Sequence, residues 1–259
     1  MPRMAREKSQ SGIYHIMIRG ANRQEMFHDD EDRKRFLETL KRYIVKVEMN
    51  VYGWCLMDNH VHLLLQEGIE EISITMKRIG VSYVWYYNQK YKTTGHLFQD
   101  RFKSEKVEND EYLLTVIRYI HQNPIKSGIV KNAEEWKWSS CLGYYGRTLY
   151  PEGLLNIAFV LHILSEDRDA AIKRFKEFNE QKNDDNCLDD TVNEKIRLSD
   201  KEAREEIIKS IGKIQLAQLK SYPKLERDEL IKKVKRIEGI SQRQAARILG
   251  VSPNLIFKA

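Results

Sequence analysis

Two histidines one residue apart head an apolar run, "HVHLLLQ" at 60–66. Side chains alternate along an extended strand, so His60 and His62 share one face while Val61 and Leu63 take the other. Two imidazoles held side by side on a rigid strand make a bidentate clamp for a metal ion, histidine being the commonest protein ligand. A hydrogen-bonded pair beside a turn is the plainer alternative. Further along, "RYIHQNP" at 118–124 puts Tyr119 and Asn123 four residues apart, hence on one helix face. Asn123 offers an amide oxygen there and Tyr119 a phenol. A phenol is a weak nucleophile until ionised, but a phosphodiester polarised by a bound cation is a suitable target for it. Ordinary helix packing for Tyr119, and a cap before proline for Asn123, are the alternatives. Two imidazoles and an amide accept Mg2+ or Mn2+ alike.

The elements that must position these groups follow from periodicity. "GIYHIMIRG" (12–20) alternates as a strand, with Ile13, His15, Met17 and Arg19 on one face and Tyr14, Ile16 and Ile18 on the other. A cluster of acids opens a helix over 29–47 that carries Phe36, Leu37, Leu40, Tyr43, Ile44 and Val47 at helical spacing. Residues 50–57 and 60–66 read as two strands joined by the Asp58-Asn59 turn. A second helix spans 71–91, with Ile72, Met76, Ile79, Tyr83 and Tyr87 on one side. A loop and fourth strand occupy 95–107, and a helix over 109–123 starts on an Asn109 cap and is expected to stop at Pro124. This β-α-β-β-α-β order with a trailing helix fits an α+β, ferredoxin-like antiparallel sheet with helices on one face.

Beyond "YGRTLYPEG" (145–153), which has boundary composition, come a helical stretch over 154–181 and the acidic "NDDNCLDD" (183–190). Further helices are predicted near 199–220 and 226–237. The end, "GISQRQAARILGVSPNLIFKA", has the form of a helix-turn-helix: Ser241 as cap, Ala245, Ile248 and Leu249 inward, Gly-Val-Ser as the turn and Pro253 opening the second helix. Three domains are thus expected: 1–148, a helical spacer and linker over 149–195, and an all-α region over 196–259.

The 259 residues carry 41% hydrophobic and 32% charged residues, the balance of a folded protein with a real core. No stretch approaches the roughly 20 apolar residues of a membrane span. The basic start "MPRMAREKSQ" is not followed by an apolar segment, so no secretory signal is expected. Cys55, Cys141 and Cys187 are too scattered for a disulfide framework, and a cytoplasmic chain with reduced thiols is the simple expectation. Net charge is +6, unevenly spread. Residues 1–150 hold 23 basic and 19 acidic side chains, 151–200 hold 7 and 12, and 201–259 hold 14 and 7. A basic body, an acidic middle and a basic tail suit two units facing nucleic acid across a spacer.

"YHIMIRGANRQEMF", "DNHVHLLL", "GHLFQDRFKSEKV", "YIHQNPIKSGIV" and "WKWSSCLGYYG" follow one another within residues 14–146. Together they resemble the HUH single-tyrosine transposases with an IS200-like domain, most closely the REP-associated branch. The resemblance implies a ferredoxin-like nuclease that cuts and rejoins single-stranded DNA. It implies that His60 and His62 hold Mg2+ or Mn2+, that Asn123 is the third ligand, and that Tyr119 attacks the scissile phosphate to leave a 5′-phosphotyrosine and a free 3′-hydroxyl. Asp58 stands where the family commonly has proline, and shaping the turn is its favoured role over approaching the metal. His121, two residues from Tyr119, points away from that helix face.

Arg19, Arg23, Arg101, Lys103, Arg118 and Lys126 are the basic groups expected around the site to bind DNA, with Arg101 and Lys103 alternating on the fourth strand. Phe98, Phe102 or Trp138 are candidate stacking platforms for single-stranded bases. Trp136 and Trp138 fit more naturally as packing for the last turn of the domain, and His15, on the Arg19 side of its strand, is a candidate neighbour of bound DNA. The expected partner is single-stranded or hairpin DNA for the catalytic part, with duplex DNA a candidate for the C-terminal part, and the chain acting as a monomer or homodimer. A non-catalytic DNA-binding regulator derived from a transposase is the alternative function.

Overall fold

Strands β1 (Ile13–Arg19), β2 (Asn50–Leu56), β3 (His60–Gln66) and β4 (Lys103–Lys106) form one antiparallel sheet in the order β2-β3-β1-β4. The computed structural model describes residues 7–188, 198, 200–212, 219, 222–237 and 239–258. Helices α1 (Asp30–Lys46) and α2 (Ile72–Tyr91) connect the strands in ferredoxin-like fashion, and α3 (Asp110–Lys126) follows β4. The chain divides after Leu188 into two compact units.

Strand alternation sorts the core into two layers. Tyr14, Ile16, Ile18, Val61, Leu63 and Leu65 point to α1 and α2, where they meet Phe36, Leu40, Met76 and Ile79. Ile13, Cys55 and Leu64 point the other way and meet Val116, Ile117 and Ile120 of α3. The two helices of the ferredoxin-like plan, α1 and α2, share one face as expected, and the trailing α3 covers the second. The reason lies in the strands, which are apolar on both sides and would otherwise leave Leu64 and Cys55 in water. His62 sits within this second layer, opposite Met17 on β1 and Cys55 on β2.

Local chemistry sets the helix ends. Asp29 caps α1 by accepting from the Asp32 N–H at 3.0 Å, while the Asp32 carboxylate accepts from the Asp29 N–H, a reciprocal capping box. Asn109 caps α3 by accepting from the Tyr112 N–H at 2.8 Å. Contrary to expectation, Pro124 does not stop α3, which runs on to Lys126. Proline there removes one backbone donor close to the helix end, and Gly128, at φ +70°, provides the left-handed turn that ends it.

The turn after β1 is crowded. A Cβ added to Gly20 would overlap the Gln24 carbonyl oxygen and press on Met26. Gly20→Ala is expected to lower stability by about 1–3 kcal/mol, the usual range for overpacking. Urea unfolding at neutral pH reads this directly, and an unchanged midpoint would mean that the turn has room to move.

The rest of the first unit packs beside α3. Helices α4 (Cys141–Tyr144), α5 (Ala158–Leu164) and α6 (Arg168–Glu180) follow one another, and Phe175 of α6 stacks on Tyr144 with ring centroids 4.3 Å apart. The stretch expected to be spacer and acidic linker is thus folded onto the first unit as far as Leu188: Asp185 pairs with Arg118 and Cys187 is buried. Residues 189–195, the remainder of that stretch, lie outside the described residues.

In the second unit α7 (Asp200–Ile211), α8 (Lys224–Lys235), α9 (Gln242–Leu249) and α10 (Pro253–Lys258) enclose Ile207, Ile231, Val234, Ala245, Leu249 and Ile256. The helix expected near 199–220 ends at Ile211, before Gly212 at φ +78°, and 213–218 lie outside the described residues. Ser241 caps α9 by accepting from the Gln244 N–H at 3.1 Å, and Gly250, at φ +65°, turns the chain toward α10. Ile248 is only partly buried, while Ala246 is enclosed in its place. The three cysteines are unpaired and buried. No helix of the described residues is long and apolar enough to cross a membrane.

Candidate active site

β3 and α3 bring four of the sequence-selected residues together on the second face of the sheet. His62 is enclosed by the apolar layer, and His60 sits at the strand's open end. Their ring centroids are 5.1 Å apart. Asn123 of α3 lies between them: its Oδ1 is 3.1 Å from His60 Nε2, and its Nδ2 is 3.4 Å from His62 Nε2. Tyr119, one turn earlier, presents its ring edge-on to His62 at 5.6 Å. The i, i+4 spacing thus delivers phenol and amide to one place, as expected.

The outer nitrogens are also occupied. His60 Nδ1 lies 2.7 Å from Asn59 Oδ1, and His62 Nδ1 lies 3.0 Å from His15 Nε2. Asn59 Oδ1 can only accept, so His60 Nδ1 carries a proton. A neutral His60 then turns a lone pair from Nε2 toward another acceptor, the Asn123 oxygen. Burial drives the His62 imidazole well below its usual range, helped by the charges of His15, His60 and Arg19. His15 is lowered by burial too, partly offset by the neighbouring Glu105 carboxylate.

The basic residues separate. Arg19 lies opposite His60 in the β1–β3 register, and Lys103 is exposed opposite Met17, on the site face. The Lys126 ammonium lies over the Tyr119 ring, 4.6 Å from its centroid, and donates to the Asp185 carbonyl oxygen at 2.6 Å. Arg23 occupies the left-handed turn after β1, at φ 60°, and its carbonyl oxygen accepts from Asn59 Nδ2 at 3.5 Å. Arg118 is turned elsewhere: its guanidinium lies 4.0 Å over the Phe178 ring and makes a bidentate pair with Asp185, at 2.7 and 2.9 Å. Arg101 precedes β4 rather than alternating with Lys103 on it, because the strand begins only at Lys103.

Other residues resolve as packing. Asp58 pairs with Arg33, and its carbonyl oxygen accepts from the Met26 N–H at 2.7 Å, so it shapes the turn. His121 is buried between Asn179 and Ser140, at 3.1 and 2.8 Å, and burial lowers it to about 4. Trp138 is buried under Arg33, which removes it as a stacking platform, whereas Phe98 and Phe102 are partly open. Trp136 donates to the Leu56 carbonyl oxygen at 3.1 Å. Sequence reasoning missed Asn59 and Glu105 and did not connect His15 to His62. The available signals were the adjacency of Asn59 to His60 and the alternation that puts Lys103 and Glu105 on one strand face.

A ferredoxin-like sheet with a histidine pair on a central strand, faced by a helix bearing tyrosine, has the layout of the HUH class. Residues 8–123 match the family described as transposase IS200 like, and the match spans His60, His62, Tyr119 and Asn123. An Escherichia coli K12 REP-associated tyrosine transposase is 26% identical over 120 residues, covering 44% of this chain and 70% of the relative. A Haemophilus influenzae protein named "Putative REP-associated tyrosine transposase" is 25% identical over 167 residues, covering 59% of this chain and 92% of its own. A solved structure of a REP-associated tyrosine transposase bound to a REP hairpin shares the fold, with TM-score 0.50 and 20% identity, over 58% of this chain and 89% of that one.

Proposed function

We propose that the chain is a metal-dependent single-stranded DNA endonuclease and strand transferase, with Tyr119 as nucleophile. The observation that carries this reading is the convergence of His60 Nε2, His62 Nε2 and the Asn123 amide beside the Tyr119 ring. Two imidazole nitrogens and an amide oxygen fit a hard or borderline divalent ion, Mg2+ or Mn2+. Bound there, such an ion supplies Lewis-acid polarisation of a phosphodiester oxygen.

The chain's own groups do the remainder. Tyr119 Oη loses its proton, forms a bond to phosphorus, and the bond from phosphorus to the 3′-oxygen breaks. The products are a 5′-phosphotyrosine and a 3′-hydroxyl. Attack by the 3′-hydroxyl of a second end reverses the step and releases Tyr119, with the phosphodiester energy conserved. Arg19, Arg23, Arg101, Lys103 and Lys126 supply cationic contacts for the backbone. Relatives of similar sequence are named REP-associated tyrosine transposases and a structural neighbour is bound to a REP hairpin, so hairpin-bearing single strands are the first substrates to try. The capped α9 and the turn into α10, with exposed Arg243, support duplex binding by the second unit.

Incubating the full chain with labelled hairpin oligonucleotides and Mn2+, then running a denaturing gel, tests the reading. A slow-migrating adduct that disappears with chelator and in His60→Ala is expected. Binding without any adduct across a broad hairpin library would favour a non-catalytic regulator.

A further inference from the structure

A chain of buried polar side chains lies behind the histidine pair. β1–β3 register pairs His15 with Leu64 and Met17 with His62, so His15 is the diagonal neighbour of His62 on one face. β1–β4 register puts Glu105 directly opposite His15. Three adjacent strands therefore line up Glu105, His15 and His62. His15 is wholly enclosed, with Nε2 3.0 Å from His62 Nδ1 and Nδ1 3.8 Å from Glu105 Oε2. Among the described residues, His15 Nδ1 has no hydrogen-bond partner.

Resting on the proposed function, we infer that His15 and Glu105 are positioning residues that set the tautomer of His62. One proton lies between the two imidazoles, and it has two possible owners. If His15 owns it, His15 Nδ1 turns a lone pair on the Glu105 carboxylate, and His62 carries its own proton on Nε2, where a cation would have to bind. If His62 owns it, His15 Nδ1 carries a proton toward Glu105, and His62 Nε2 is left with a lone pair facing Asn123. The second arrangement is attractive at each link and the first is repulsive at the carboxylate. Glu105 is kept in place by the Leu188 N–H, which donates to Oε2 at 3.1 Å, and by the Tyr112 hydroxyl. Both imidazoles are buried, so water cannot substitute for this ordering. A histidine ligand's other nitrogen is ordinarily held by a carboxylate or carbonyl. Here a second histidine carries the carboxylate's influence across one strand.

The test reads the His62 tautomer by side-chain 15N NMR in the metal-free full chain, alongside Mn2+ affinity by titration. The wild type is expected to show His62 protonated on Nδ1. In His15→Leu and Glu105→Gln the Nε2-protonated form should appear, with Mn2+ binding weakened about 10–100-fold. His15→Gln places an acceptor near the lost nitrogen and should restore both readouts. If His15→Leu fails to fold, Glu105→Gln carries the test, because that side chain is isosteric and a third exposed. His62 protonated on Nε2 in the wild type, or a tautomer and Mn2+ affinity unmoved by Glu105→Gln, would overturn the inference. The tautomer is read without DNA, so a wild type that forms no adduct yet keeps Nδ1 protonated sinks strand transfer and supports the relay.

Discussion

Tyr119→Phe is expected to abolish the covalent DNA adduct and to lower strand cleavage by at least ~10^4-fold, the scale of losing a nucleophile that no neighbour replaces. The substitution removes a single oxygen. The ring keeps its edge contacts with His15 at 5.8 Å and His62 at 5.6 Å, and its place under Lys126. Oligonucleotide binding, Mn2+ affinity and melting temperature should therefore stay near wild type. Single-turnover cleavage of an end-labelled oligonucleotide, followed on a denaturing gel, separates the steps. An adduct that survives would assign the nucleophile to another residue while leaving the histidine pair in its role.

The largest expected loss of stability comes from the other face of the sheet, with Asp32→Ala. Asp32 is fully enclosed. Its carboxylate accepts from Lys90 Nζ at 2.8 Å, the Tyr91 hydroxyl at 2.6 Å, the Tyr86 hydroxyl at 3.1 Å and the His28 N–H at 2.8 Å. It also closes the capping box of α1. Removing it strands several partners at once, which costs about 3–5 kcal/mol for a buried charged network. The melting temperature of a unit this size should fall by roughly 6–20 °C.

Acid offers a second readout of the same group. Burial pushes the Asp32 carboxyl up, but Lys90, the Tyr91 hydroxyl and the His28 N–H outweigh it, so the net shift is downward. A carboxyl lowered by folding contributes stability that is fully present above its unfolded value, about 3.9, and is lost as pH falls through its folded value. The gap between wild type and Asp32→Ala in urea unfolding should be widest near pH 7 and should narrow below about pH 4. A gap independent of pH would mean that the carboxylate's charge contributes nothing.

The features readable from the chain alone are local. The His-x-His face, the Asp58-Asn59 turn, the common face of Tyr119 and Asn123, the turn of His121 away from that face and the caps at Asn109 and Ser241 all follow from strand and helix periods acting over a few residues. Both long helices of the sheet's first face were legible for the same reason, since Ile72, Met76, Ile79, Tyr83 and Tyr87 form a stripe that has to be buried. What those faces meet depends on packing between segments far apart in the chain. The placement of α3 over the second face depends on strands apolar on both sides, a pattern that names no particular cover. Arg118 and Asp185 are 67 residues apart, and no local rule selects an ion pair over a DNA contact for that guanidinium. His15 and His62 are 47 residues apart, and their hydrogen bond exists because the β1–β3 register sets them diagonally rather than one residue out of step, which would turn His15 to the opposite face. Register and packing are collective properties of the whole sheet, and that is why the ligand pair was readable from the chain while the residues behind it were not.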